Sequence, residues 1–244
     1  MINQCVILAA GKNSRLDTGK PKSLLEINGM SLLERHVNLF CKIGCEEFCV
    51  VTGHHPEPIR HKIEELKEKY HVVIDAVHNE HYDLENGFSV SVTEDWLSAR
   101  GATGFYLTMG DHIFGETFIP SFQRAMVSMG ISQHLCLAVD IPSKENSHID
   151  IEDVTRVKVN AAGYIEQIGK MINDYNRYDT GLFFLKPQVF DTLRKCFEQG
   201  KFTISDMVSK LIADEQAITV DVIGNVWNDV DNKEDLKNSV NLKF

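Results

Sequence analysis

Strand-like and helix-like segments alternate through the first half of the chain, and that alternation most restricts what it can fold into. Gln4 to Leu8 is a short apolar run that reads as a buried strand. Ser31 to Ile43 has the spacing of an amphipathic helix, opened by Ser31-Leu32-Leu33-Glu34, the order of a capping box. Glu47 to Thr52 is the next strand, followed by a charged helix from about Pro58 to Tyr70 and a strand at Val72 to Ala76. A helix at about Phe88 to Ala99 and a strand at Phe105 to Met109 complete the series. Repeated strand–helix units join strands in parallel beneath covering helices, so the expected class is α/β with a mostly parallel, mixed sheet in three layers.

The second half changes character. Thr155 to Val159 and Tyr164 to Ile168 alternate apolar and polar residues across the tight link Asn160 to Gly163, which predicts an antiparallel hairpin. A strand at Gly181 to Leu185, helices at about Pro187 to Gln199 and Ser205 to Asp214, a strand at Ala217 to Ile223 and a terminal helix from Asn232 to Leu242 follow. No Gly/Ser/Pro-rich linker or internal repeat divides the 244 residues, so one domain with a small antiparallel lobe is expected.

Charge excludes one class of partner. Acidic residues outnumber basic ones 35 to 25, a formal net charge of −10, whereas a nucleic-acid footprint needs a basic surface. A site for an anionic ligand must therefore be built locally. Met1 to Ala10 lacks a basic flank and is too short for a signal peptide or a membrane span. The six cysteines contain no C-x-x-C pair, and free buried thiols in a reducing cytoplasm are expected, with no membrane partner.

The loop after the first strand carries the most chemistry. Leu8-Ala9-Ala10-Gly11-Lys12-Asn13-Ser14-Arg15 is followed by Gly19-Lys20-Pro21-Lys22. Small residues at Ala9, Ala10 and Gly11 let backbone approach a ligand, at the strand end where α/β sheets bind nucleotides. Arg15, Lys20 and Lys22 add cations suited to a triphosphate. The spacing fits neither the Walker loop nor the dinucleotide G-x-G-x-x-G. Asp111 ends the apolar strand Phe105 to Met109, where a carboxylate holds magnesium against phosphate oxygens or simply caps a turn. Asp229 and Asp231, at i and i+2, point the same way if the segment is extended.

Leu8 to Leu24 resembles the N-terminal motif of the nucleoside-triphosphate transferases, usually L-A-A-G-x-G-[ST]-R followed by P-K. The resemblance implies a Rossmann-like fold, with a nucleotide-binding part over about residues 1–130 and an acceptor-binding lobe over about 131–225. It implies that Leu8, Ala9, Ala10, Gly11, Asn13, Ser14, Arg15 and Lys22 bind the nucleotide, and that Arg15 and Lys22 brace the phosphates during transfer. Asn13 stands where the motif has its second glycine, and Asn tolerates positive φ. The resemblance also implies Mg2+ on Asp111 and Asp231, with Asp229 as the alternate.

Within that family, Thr108 to His112, Asn86 to Ser89, Ile168 to Lys170 and Asp179 to Phe183 are similar to cytidylyltransferases that activate inositol-1-phosphate, whose relatives act on phosphocholine and small phosphonates. By that likeness Asn86, Gly87 and Ser89 lie near the pyrimidine, although Asn86-Gly87 is equally a turn. Lys170, Asp179 and Thr180 are placed at the acceptor by the same likeness, although Asp179 and Thr180 serve equally as turn caps, and His112, beside Asp111, is a candidate acceptor or phosphate contact. His78 and His81 at i, i+3 would ligate a metal only in a helix, and no third ligand is spaced to join them. The implied activity is CMP transfer from CTP to a phosphorylated alcohol or phosphonate, releasing pyrophosphate. Sugar-1-phosphate nucleotidyl transfer using UTP or another nucleotide, or nucleotide binding without catalysis, are the alternatives. A cytoplasmic location is expected, and a homodimer is left open.

Overall fold

The computed structural model describes residues 2–12, 19–144, 146 and 148–242. From the N-terminus run β1 (Gln4–Ala9), β2 (Glu26–Ile27), β3 (Met30–Ser31), α1 (Leu32–Cys41), β4 (Glu47–Thr52), α2 (Pro56–Tyr70), β5 (Val73–His78), α3 (Asn86–Ser91), α4 (Glu94–Ser98) and β6 (Phe105–Met109). Then come β7 (His112–Phe114), α5 (Phe118–Met129), β8 (Leu135–Asp140), β9 (Arg156–Val159), β10 (Ile165–Gly169) and β11 (Arg177–Leu185). The chain finishes with α6 (Val189–Phe197), α7 (Ile204–Ile212), β12 (Ala217–Asp221), β13 (Trp227–Asp229) and α8 (Lys233–Asn241).

One sheet of nine strands organises the molecule, along the path β10-β9-β11-β6-β1-β4-β5, with β8 joined to β11 and β12 to β8. β1 lies parallel to β4 and β6, and β4 parallel to β5. β11 reverses direction against β6, β8 and β9. A register shift between Asp179 and Phe183 bends β11 and sets the β9–β10 hairpin off as the small antiparallel region. Alternation along β1 separates two cores: Cys5 and Ile7 pack with Phe40, Phe48 and Phe122, and Val6 with Phe190, Met207 and Leu211. Both faces of the sheet are thereby covered, the three-layer α/β arrangement.

Local chemistry explains where the elements depart from the sequence expectations. Ser31 caps α1 by accepting from Glu34 N, but the Glu34 carboxylate binds Lys62 and Lys69 of α2 rather than closing the capping box. The helix expected over Phe88 to Ala99 breaks into α3 and α4. At the break Ser91 and Thr93 hydroxyls donate to the carbonyls of Phe88 and Val90, competing with the helical ladder. α2 begins at Pro56, β11 begins at Arg177, and β2, β3, α5, β7 and β8 add to the elements expected from sequence. All six cysteines are free. No helix among the described residues is long and apolar enough to cross a membrane.

Candidate active site

Two short strands bring distant carboxylates together. Gly110 donates its N–H to Leu8 O at 2.8 Å, and a Cβ on Gly110 would lie 2.6 Å from that oxygen, so only glycine lets the end of β6 close onto β1. Asp111 follows, and the chain turns into β7, which pairs antiparallel with β13 and sets His112 opposite Asp229. Val230 N then donates to Asp111 O at 3.0 Å, anchoring the two segments. Immediately beyond, Asn232 and Asp235 form the capping box of α8, and Asp235 also accepts from Asp231 N at 3.1 Å. Asp231 is fixed where the strand segment meets the helix.

Lys22 enters from the opposite side, on a short helical turn over Lys22–Leu24 that follows buried Pro21. Its ammonium lies 3.4 Å from Asp111 Oδ2 and is hydrogen-bonded to Asp231 Oδ1. Burial alone would lower the Lys22 pKa, but Asp111 and Asp231 outweigh it and raise it. Burial would likewise raise Asp111, yet His112 and Lys22 hold its carboxyl well below the usual range.

His112 is the second cation. Its Nδ1 is 3.2 Å from Asp111 Oδ1 and 3.8 Å from Asp229 Oδ1. Its ring lies parallel to Trp227, with centroids 6.5 Å apart. On another side it abuts Gly181, whose φ is +74° and whose added Cβ would come within 2.5 Å of the ring. Burial opposes the charge, but Asp229, Asp111 and Asp179 outweigh it and lift His112 to about 9, so the imidazolium predominates at neutral pH. Burial, opposed by His112 and reinforced by Asp111 and Asp231, pushes Asp229 up to about 7. Asp179 is pushed up to about 6 by burial and accepts from Gly181 N at 2.8 Å.

The donor atoms of Asp111, His112 and Asp229 lie within 4.8 Å of one another. Asp229 Oδ1 is buried without a hydrogen-bond partner among the described residues. An ammonium already bridges Asp111 and Asp231, so oxygen donors around a cationic position are on hand, the donor chemistry a hard divalent ion takes.

These groups open into a cavity of about 340 Å³ whose wall includes Lys22, Asp111, His112, Asp229 and Asp231. Asn86, Lys170 and Asp179 also line it. Lys170 is exposed and paired with Asp153. Asn86 Oδ1 accepts from Ile204 N at 2.9 Å, at the start of α7. Ser89 is buried and accepts from Asn79 Nδ2 at 3.0 Å, and Gly87 is buried with its N–H donating to Phe202 O at 2.8 Å. Leu8 and Ala9 end β1, and Ala10 and Gly11 lead away from it, with Ala10 O accepting from His54 N at 3.2 Å. Asn13, Ser14 and Arg15 lie outside the described residues.

Thr180 differs from the expectation that put it at an acceptor. It is fully buried and its hydroxyl donates to Ala138 O at 2.8 Å, because the bend in β11 turns this side chain toward β8. Conversely Asp150, Asp153, Thr155 and Ser205 reach the cavity wall without having been singled out. Three are scattered polar residues on the segment before β9 and Ser205 lies in the first turn of α7, with no spacing to mark them.

The MobA-like NTP transferase domain family matches residues 5–148. The bifunctional IPC transferase and DIPP synthase of Aquifex aeolicus is 27% identical over 241 residues, covering 97% of this chain and 51% of that protein. Its counterpart in Archaeoglobus fulgidus is 29% identical over 234 residues, covering 96% and 42%. The chain therefore spans about half the length of these curated relatives. The solved inositol-1-phosphate CTP transferase from T. maritima superposes with a TM-score of 0.81 at 23% identity, over 98% of this chain and 96% of that one, a likeness of fold.

Proposed function

This chain belongs to the MobA-like NTP transferase domain family, and from that premise we propose that it transfers CMP from CTP to a small phosphorylated alcohol or phosphonate. An acceptor oxygen attacks the α-phosphorus, the bond from that phosphorus to the bridging oxygen breaks, and pyrophosphate leaves with its electron pair. The observation carrying this reading is the meeting of Lys22, Asp111 and Asp231 at the ends of β1 and β6. The naming of the relatives as IPC transferase and inositol-1-phosphate CTP transferase supports the choice of nucleotide and acceptor class.

The acceptor oxygen is already anionic, so the reaction requires no general base; alignment and charge neutralisation suffice. Backbone of Leu8 to Gly11 would cradle the nucleotide, with Asn13, Ser14 and Arg15 adding contacts to it. Asn86 would approach the base from the far wall, with Gly87 and Ser89 holding that segment in place. Lys22 would move its ammonium from the carboxylates to the phosphates, lowering the barrier as charge builds on them. Asp111 and Asp231 would hold Mg2+, with Asp229 beside them. When bound, the ion would neutralise phosphate charge. His112 would present its imidazolium to the same oxygens, and Lys170 would exchange Asp153 for the acceptor's phosphate or phosphonate, with Asp179 alongside.

The test is pyrophosphate release with each of the four ribonucleoside triphosphates and magnesium. Acceptors would include inositol-1-phosphate, phosphocholine, 2-aminoethylphosphonate and glucose-1-phosphate. The reading predicts release with CTP and a non-sugar acceptor. Release confined to UTP and glucose-1-phosphate, or magnesium-dependent CTP binding with no release, would overturn it.

A further inference from the structure

Two connecting segments form part of the cavity wall. Asp150, Asp153, Val154 and Thr155 belong to one, and Lys170 begins the other. Ile149 and Val154 tie the first to the core, but Ile151 between them is 52% exposed and Met171 in the second is 88% exposed, so side-chain packing holds the two segments only in part. The salt bridge between Lys170 and Asp153 joins them, but an anionic acceptor would compete for Lys170.

Arg156 joins them in a way the acceptor does not compete with. It sits on β9, between β10 and β11. One terminal nitrogen donates to Ile172 O at 3.1 Å and the other to Ile151 O at 2.9 Å, while the guanidinium lies 5.1 Å from the centre of the Tyr175 ring. A planar, permanently charged fork reaches two divergent carbonyls with two separate nitrogens, whereas the single nitrogen of an ammonium reaches two acceptors only where they converge on it. Lys158 on the same strand pins the second segment from outside through Asp174, at 2.7 Å. Arg156 thus stands behind the wall and sets the spacing between Lys170 and the Asp150 to Thr155 segment.

We infer that Arg156 is a positioning residue for the acceptor, clamping the two wall segments so that Lys170 and Asp153 flank the acceptor at a fixed separation. The inference rests on the cytidylyl-transfer reading for the identity of the acceptor, whereas the clamp itself is a matter of backbone contacts. Loss of two charge-assisted hydrogen bonds should act on acceptor binding and leave the nucleotide side of the cavity intact.

The experiment compares the parent with Arg156→Ala and Arg156→Lys, measuring KM for CTP, KM for the best acceptor and kcat, together with backbone amide exchange. Arg156→Ala should raise the acceptor KM by about 10-fold or more while the CTP KM stays within about twofold. Exchange should quicken in residues 149–155 and 170–174 and remain slow in β1, β4 and β6. Arg156→Lys, which keeps the charge and one contact, should fall between the two, and it supplies the same comparison if the alanine variant does not fold. A parent-like acceptor KM, an equal rise in both KM values, or faster exchange throughout the sheet would overturn the inference. Were the parent to show no transfer to any acceptor, the functional reading would fail. Quickened exchange confined to the two segments would then still support the clamp, and unchanged exchange there would refute it.

Discussion

Gly181→Ala tests whether the placement of His112 matters, because the structure fixes how far the ring must move. A Cβ on Gly181 would stand 2.5 Å from His112 Cδ2 and Nε2, so the imidazole must retreat by close to 1 Å to reach ordinary contact. Retreat is hindered by Trp227, stacked nearly parallel with it, and it would pull Nδ1 from Asp111, now 3.2 Å away. A displacement of that size at a reacting centre costs about 100-fold in rate. The positive φ of +74° adds backbone strain of about 1 to 2 kcal/mol, or roughly 2 to 8 °C in Tm for a chain of this length. Gly200→Ala separates the two effects, since Gly200 has φ +71° and nothing within 4 Å of an added Cβ. Both variants should lose the stability that the backbone strain costs, Gly181→Ala losing more because of the clash with His112, and only Gly181→Ala should lose about 100-fold in kcat/KM for pyrophosphate release. Parent-like activity in Gly181→Ala, or equal losses in the two, would refute the reasoning.

Other expectations follow from the same contacts. Lys22→Ala should lower kcat by about 100- to 1000-fold. Without the competing ammonium, added magnesium should raise its Tm more than the parent's, which a thermal-shift titration checks, while pyrophosphate release measures the fall in kcat. His36 is fully buried, and burial depresses its folded pKa to about 3 although the backbone of His112 and Met109 opposes the shift. The unfolded chain then binds the extra proton, so stability is lost as pH falls below about 6.5, by about 2 kcal/mol at pH 5. Urea midpoints of His36→Phe should lack that component of the acid sensitivity, and identical pH profiles would contradict it. Thr203 and Asp206 form a complete capping box on α7; Thr203→Ala should cost about 1 kcal/mol in urea unfolding.

The parallel centre of the fold was legible because strands buried on both faces leave nearly continuous apolar runs, as in Gln4–Ala9 and Phe105–Met109. Asn232 was likewise legible as a cap, since its side chain accepts from Glu234 N and Asp235 N. The route joining the candidate site was not. β7 and β13 are three residues each, too short to show a period, and their pairing joins parts of the chain more than a hundred residues apart. Sequence spacing offered Asp229 and Asp231 as equivalents along one strand face. The structure ends β13 at Asp229 and gives the two carboxylates different neighbours, His112 for one and Lys22 for the other. Thr180 shows the converse limit: a bend within β11, invisible in a run of strand-forming residues, decides which side chains face the cavity.

A double-mutant cycle on Asp111 and Asp231, read as kcat for CTP-dependent pyrophosphate release across a magnesium titration, addresses the shared-ion reading most directly. If both carboxylates serve one ion, Asp111→Asn and Asp231→Asn should each lower kcat by about 100-fold or more, and the double variant should be little slower than the worse single one. Losses that multiply, or a single variant turning over like the parent at every magnesium concentration, would contradict it.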